Sequence, residues 1–107
     1  MITCEFFRSG DSLVGFVIRG HDDPDGEGIS LPCAAVSSAV YLTVNTITDV
    51  CGATPLVLEE ANGWMSLRLS AKDAALCQSH LEGLRLHLSA LSNDYETITL
   101  TEVSLPC

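Results

Sequence analysis

Residues 12–38, S-L-V-G-F-V-I-R-G-H-D-D-P-D-G-E-G-I-S-L-P-C-A-A-V-S-S, change character twice, and their reading sets the fold. Residues 12–19 are apolar on both faces, as a central strand is. A loop follows from Asp22 to Ser30, crowded with three aspartates, one glutamate, two glycines and a proline. The chain then enters a helix predicted over 32–51, with Val36, Val40, Val44, Ile47 and Cys51 on one face and Gly52 as its stop. Pro32 suits the first helical position, where an N–H has no intrahelical partner, and either Ser30 or Leu31 is the cap. Cys33 therefore lies among the unpaired N–H groups at the positive end of the helix dipole. That setting favours the thiolate, which is the nucleophilic form. His21 stands twelve residues upstream at the mouth of the same loop. A base folded back beside a sulfur on a helix N-terminus is the arrangement that activates a cysteine. Ser37 follows one turn later on the same face as Cys33, within reach of the sulfur or a substrate, or as a small packing residue.

Outward from this stretch, residues 2–8 and the turn S-G-D-S pair with 12–19 as a β-hairpin. Residues 55–60 and 64–70 flank A-N-G and form a second hairpin. Met65, Leu67 and Leu69 share one face of its later strand, and Trp64, Ser66, Arg68 and Ser70 share a solvated or substrate-facing side. Ser70 caps a second helix, with Asp73 three residues on. Its stripe is Ala74, Cys77, Leu81, Leu84, Leu88 and Leu91. His80 and His87 flank that stripe two turns apart, too distant to chelate a metal together. Residues 95–103 alternate and are β-branched, as a last strand is. The order ββαββαβ gives a single α+β domain over 1–107, in two layers: one mainly antiparallel sheet with two helices packed on one face.

Composition narrows the function. The chain has 107 residues, 47% of them hydrophobic and 18% charged, which is a folding composition and not a disordered one. The net charge of −9 leaves no basic patch for nucleic acid and suits a basic polypeptide partner. The apolar runs read as shorter than a membrane span, and the N-terminus lacks a signal peptide's basic region, so the expected location is the cytoplasm. Five cysteines at long spacings, with no C-x-x-C, suit a reducing compartment and build no zinc site. Asp23, Asp25, Glu27 and Gly28 hint at a calcium loop, but its twelfth position falls on Ala34, where a bidentate glutamate is needed, so calcium is rejected. No metal and no cofactor is called for. The acidic loop is either a mobile lid beside the nucleophile or a solvated connection. Cys33 has its own plain reading, as one more small apolar residue on the core face of its helix.

Resemblance tips that balance. G-H at 20–21, a glycine-bearing loop and C-A-A-V-S-S at 33–38 resemble the signature of the bacterial ribosomal-processing cysteine protease (Prp) family, in their His-to-Cys spacing as well. N-G-W at 62–64 resembles that family's Asp-Gly-aromatic turn, and 81–103 is similar to its second helix and last strand. The resemblance implies a cytoplasmic, homodimeric cysteine endopeptidase. Its substrate would be the basic N-terminal peptide of a large-subunit ribosomal protein, whose short extension it removes. Carried over by residue, it implies that His21 is the general base and Cys33 the nucleophile. Gly20 would supply backbone freedom, and Ser37 matches the family's serine. The departure is Ser30, where the family carries an aspartate; a serine accepts a hydrogen bond but offers no charge to orient the histidine. Asp25 or Glu27 would substitute, or activity would be weak. In the implied mechanism, N–H groups of the first helical turn hold the oxyanion. Two other readings stand beside it. One is a catalytically weak relative that binds a ribosomal protein or assembly intermediate. The other is a thiol-redox sensor using Cys4 or Cys107 as the resolving cysteine.

Overall fold

The computed structural model describes residues 1–21 and 30–106. The loop from Asp22 to Glu27, with its lid reading and the substitutes Asp25 and Glu27, lies outside the described residues, as does Cys107. The strands are β1 (Ile2–Ser9), β2 (Ser12–Gly20), β3 (Val57–Ala61), β4 (Trp64–Arg68) and β5 (Ile98–Ser104). The helices are α1 (Leu31–Asn45), continued by a π turn over Thr46–Val50, then α2 (Ala71–Leu76) and α3 (Gln78–Asp94). One sheet runs in the order β3-β4-β2-β1-β5. Every neighbouring pair is antiparallel except β1 and β5. The α+β architecture is the one the sequence pattern implies.

Register explains why β2 is apolar on both faces: it is the central strand. Phe16 stands between Phe6 and Leu67, and Ile18 between Cys4 and Met65. These residues are buried in one core with Val36, Val40, Val44, Ile47, Leu81, Leu84 and Leu88 from the helices. The alternate positions Glu5, Val17, Ser66 and Arg68 are half-buried, so the helices cover one face only. On the uncovered face the Arg68 guanidinium lies over the Phe7 ring, 4.7 Å from its centroid. Leu31–Val50 is a 20-residue helical segment of mean hydropathy 1.2, long and apolar enough to match a membrane span. That corrects the expectation that the apolar stretches fall short of one. One stripe of it, Val36, Val40, Val44 and Ile47, packs into this core.

Both helices differ in detail from the sequence expectation. The first ends in a π turn, with the Cys51 N–H donating to the Thr46 carbonyl at 2.8 Å. Thr43, Thr46 and Thr48 each return a hydroxyl to the carbonyl four residues back, which loosens the ladder there. The second helix breaks at Cys77 (φ −107°, ψ 11°), giving three α-helices among the described residues instead of two. Gln78 accounts for the break. Its side-chain amide accepts from the Leu13 N–H at 2.9 Å, donates to the Leu13 carbonyl at 2.5 Å, and donates to Ala74 at 2.8 Å. The helix bends so that one side chain can serve both its own turn and the backbone of β2.

Candidate active site

The histidine is seated by backbone. β2 ends at Gly20, whose φ of +100° is open only to glycine. A Cβ there would overlap the Met1 carbonyl. The Gly20 N–H donates to the Gly63 carbonyl at 3.0 Å, and the Met1 amine donates to the His21 carbonyl at 2.5 Å. Gly63, at φ +75° in the turn between β3 and β4, is so close to the imidazole that a Cβ on it would overlap Nε2 of His21. The second hairpin thus supplies the floor on which the ring rests.

The cysteine is placed by a cap. Ser30 is the N-cap (φ −91°, ψ 153°), which settles the choice between Ser30 and Leu31. Its hydroxyl accepts from the Cys33 N–H at 3.1 Å, and its carbonyl accepts from the Ala34 N–H at 3.0 Å. Helix α1 begins at Leu31, one residue earlier than expected, with Pro32 in its first turn. Cys33 is half-buried and packs against the core, so the plain reading is right about one side of the residue. Its other side opens into a cleft.

That cleft has a volume of about 990 Å³. Its floor is apolar, formed by Ile18, Val36, Val40 and Met65. Along its walls stand His21, Cys33, Ser37, Tyr41, Glu60 and Asn62, with Gly20, Gly63 and Trp64 at the hairpin end. This volume suits an extended peptide segment or a small molecule of similar bulk. Of the residues predicted from sequence, Gly20, His21, Cys33 and Ser37 all line it, whereas Ser30 sits behind Cys33 as the cap. The first-turn N–H groups expected to hold an oxyanion are differently disposed. Pro32 has none, and those of Cys33 and Ala34 both donate to Ser30. Neither His80 nor His87 lines the cleft, and no cluster of three metal-ligating side chains occurs among the described residues.

The other described cysteines are elsewhere. Cys4 is buried at the centre of the sheet, where burial pushes its thiol up to about 11. Cys77 is buried too, and its thiol is raised first by burial and then by contact with Cys51. Of the two resolving cysteines the redox reading named, Cys4 is buried in the sheet and does not line the cleft, and Cys107 lies outside the described residues.

Sequence reading missed Tyr41 and Glu60. The Tyr41 hydroxyl donates to Oε1 of Glu60 at 2.5 Å across the cleft. That bond is the first cause, and burial the second, that raises the phenol above its ordinary value. The available signal was the spacing Cys33, Ser37, Tyr41, a second stripe beside the core stripe.

A half-buried thiol and an imidazole, carried by separate elements, thus line one peptide-sized cleft of an α+β domain. The chain belongs to the cysteine protease Prp family, whose model matches residues 1–99. Two crystal structures of the essential ribosomal processing protease Prp from S. aureus are similar to it. One, with a covalently linked product peptide, has a TM-score of 0.83 at 22% identity, over 96% of this chain and 100% of that chain. The other, with a substrate peptide, has a TM-score of 0.81 at 20% identity with the same coverage. SMU.848 from Streptococcus mutans aligns with a TM-score of 0.80 at 26% identity, over 98% of this chain and 96% of that one. No curated protein matches.

Proposed function

We propose that this protein is a cysteine endopeptidase in which Cys33 is the nucleophile and His21 its base, removing the N-terminal extension of a large-subunit ribosomal protein. The observation that carries the proposal is that His21 and Cys33, one from the end of β2 and one from the start of α1, line the same cleft. Family membership and the peptide complexes of the S. aureus protein support a peptide as the substrate. His21 takes the Cys33 proton and the thiolate attacks the scissile carbonyl. His21 then protonates the leaving amine and activates the water that releases the acyl group. The oxyanion takes the Cys33 N–H once the Ser30 hydroxyl turns aside, and the Asn62 amide on the cleft wall is a second donor. Gly20 and Gly63 hold His21 in place, and Ser37 lies beside the path of the substrate. The acidic chain favours encounter with a basic ribosomal peptide. The enzyme acts in the cytoplasm as a homodimer of single-domain chains, and the exposed Leu31, Leu42 and Val50 of the first helical segment support such an interface.

A second reading is a weak or inactive relative that binds the same peptide. It is favoured by Ser30, which offers His21 no charge and occupies the Cys33 N–H. One experiment separates the two. Synthetic N-terminal peptides of the host's large-subunit ribosomal proteins are incubated with wild type, Cys33→Ala and His21→Ala, and products are read by mass spectrometry. Cleavage at one bond by wild type alone supports the protease. Binding without cleavage supports the module, and cleavage that survives Cys33→Ala overturns the proposed chemistry.

A further inference from the structure

The cleft carries an unassigned group at its far end. Cys33, Ser37 and Tyr41 are spaced four apart, so they form a row along one side of α1. Eight residues of helix at about 1.5 Å each put Tyr41 about 12 Å beyond Cys33. Across from Tyr41 is Glu60, on the edge strand β3 opposite Met65 of β4, and therefore on the face of the sheet that the helices cover. The Tyr41 hydroxyl fixes one oxygen of the Glu60 carboxylate. A carboxylate offers about four acceptor positions, so one bond from Tyr41 leaves room for further donors.

The charge pattern gives this carboxylate its significance. No lysine or arginine lines the cleft, and Glu60 is the one carboxylate that does, among the described residues. Arg8 and Arg85 are engaged with Glu82 and Glu102, Arg19 with Glu5, and Arg68 with the Phe7 ring. Lys72, the remaining cation, is exposed at the start of α2 and does not line the cleft, so the field at this end is negative, with no cationic side chain among the described lining residues. An extended peptide advances about 3.3 Å per residue, so 12 Å corresponds to three or four residues from the bond lying at Cys33.

We infer that Glu60, positioned by Tyr41, is a specificity-determining residue that selects a lysine or arginine on the substrate three to four residues from the scissile bond. The inference rests on the protease reading for its register, since the distance is counted from a bond held at Cys33. Glu60 acts by accepting charge-assisted hydrogen bonds from the substrate cation. Tyr41 is a positioning residue, because the phenol keeps the carboxylate turned into the cleft instead of out to solvent.

The test is a pool of 14-residue peptides that carries Lys, Gln or Glu at every position, with products aligned on the cut bond by mass spectrometry. Wild type should favour Lys over Gln at the third or fourth residue on one side by about fivefold, the scale of a single partly exposed ion pair. That preference should shrink as salt is raised. Glu60→Gln should erase the ratio, Glu60→Lys should invert it toward Glu, and Tyr41→Phe should reduce it. A flat profile at that distance, or a Lys preference indifferent to Glu60→Gln, overturns the inference while leaving the protease intact. If the pool is not cut at all, retention of its Lys and Gln members on immobilised Cys33→Ala protein decides separately. Lys selectivity lost in the Cys33→Ala, Glu60→Gln double variant upholds the acidic subsite and places the failure with catalysis. Equal retention overturns the subsite.

Discussion

Replacing Gly63 by alanine should disable the enzyme without unfolding it, and the structure provides an internal control for why. Gly63 and Gly10 both adopt a left-handed backbone, at φ +75° and +61°. An L-residue in that region costs about 1–2 kcal/mol, so Gly63→Ala and Gly10→Ala should lose comparable stability. In a chain of this size that is a fall in Tm of roughly 5–10 °C. The difference lies in what the new methyl group meets. At Gly10 it meets nothing within 4 Å, whereas at Gly63 it overlaps the imidazole of His21. Reaching ordinary van der Waals contact moves the ring by on the order of 1 Å, and such a misplacement costs about 100-fold in rate. That corresponds to about 2.7 kcal/mol of transition-state stabilisation. The assay is kcat/KM on a cleaved peptide for the two variants beside their thermal melts. Equal losses of Tm, with kcat/KM falling about 100-fold for Gly63→Ala alone, support the seat. If Gly63→Ala cleaves within about threefold of Gly10→Ala, the hairpin does not position the base and the reasoning fails.

Three further outcomes follow from the same geometry. Ser30→Ala removes the hydroxyl that caps α1 and should lower stability by about 1 kcal/mol in a denaturant melt, with Ser30→Asp restoring it. Gln78→Ala leaves both backbone groups of the buried Leu13 without their side-chain partner and should cost about 2 kcal/mol, the largest loss of the three. Glu82 is held below the ordinary glutamate value, first by its hydrogen bond from Arg85 and next by that from Arg8. A carboxylate whose folded value is depressed contributes stability above its unfolded value of about 4.3 and loses it as pH falls toward the folded one. Glu82→Gln should therefore lower Tm at pH 7 and flatten the acid side of the Tm profile below about pH 4.3; an unchanged acid limb would show that the Arg8–Glu82–Arg85 network is not linked to folding.

Legibility in the sequence divides along the line between periodic and non-local information. The two-faced apolar run of β2 and the alternation in β5 announced a sheet, and the stripe from Ala74 to Leu88 announced a helix, because burial imposes those periods directly. The break at Cys77 was not legible, since it depends on Gln78 finding the backbone of Leu13 some 65 residues away in the chain. Gly20, His21, Cys33 and Ser37 could be picked out because they lie in one continuous stretch whose resemblance is specific. Gly63 was visible only as part of a turn, and its role emerged when Gly20 donated to its carbonyl and the space for a Cβ on it proved to be taken by the His21 ring. Tyr41 gave no signal as a cleft residue, because nothing in α1 tells that β3 will place Glu60 opposite it. Ser30 read both as one of two candidate caps and as the loss of an aspartate; folded, it is the cap, accepting from the Cys33 N–H.

In the proposed mechanism His21 activates Cys33. The most direct measurement is the rate of iodoacetamide alkylation of each cysteine at neutral pH, read by peptide mass spectrometry in wild type and in His21→Ala. Cys51 is exposed and outside the cleft, and so serves as the internal reference thiol. Cys33, although half-buried, should be alkylated at least about tenfold faster than Cys51, and His21→Ala should remove this advantage while leaving Cys51 unchanged. A Cys33 that reacts no faster than Cys51, or that ignores the loss of His21, would contradict that mechanism.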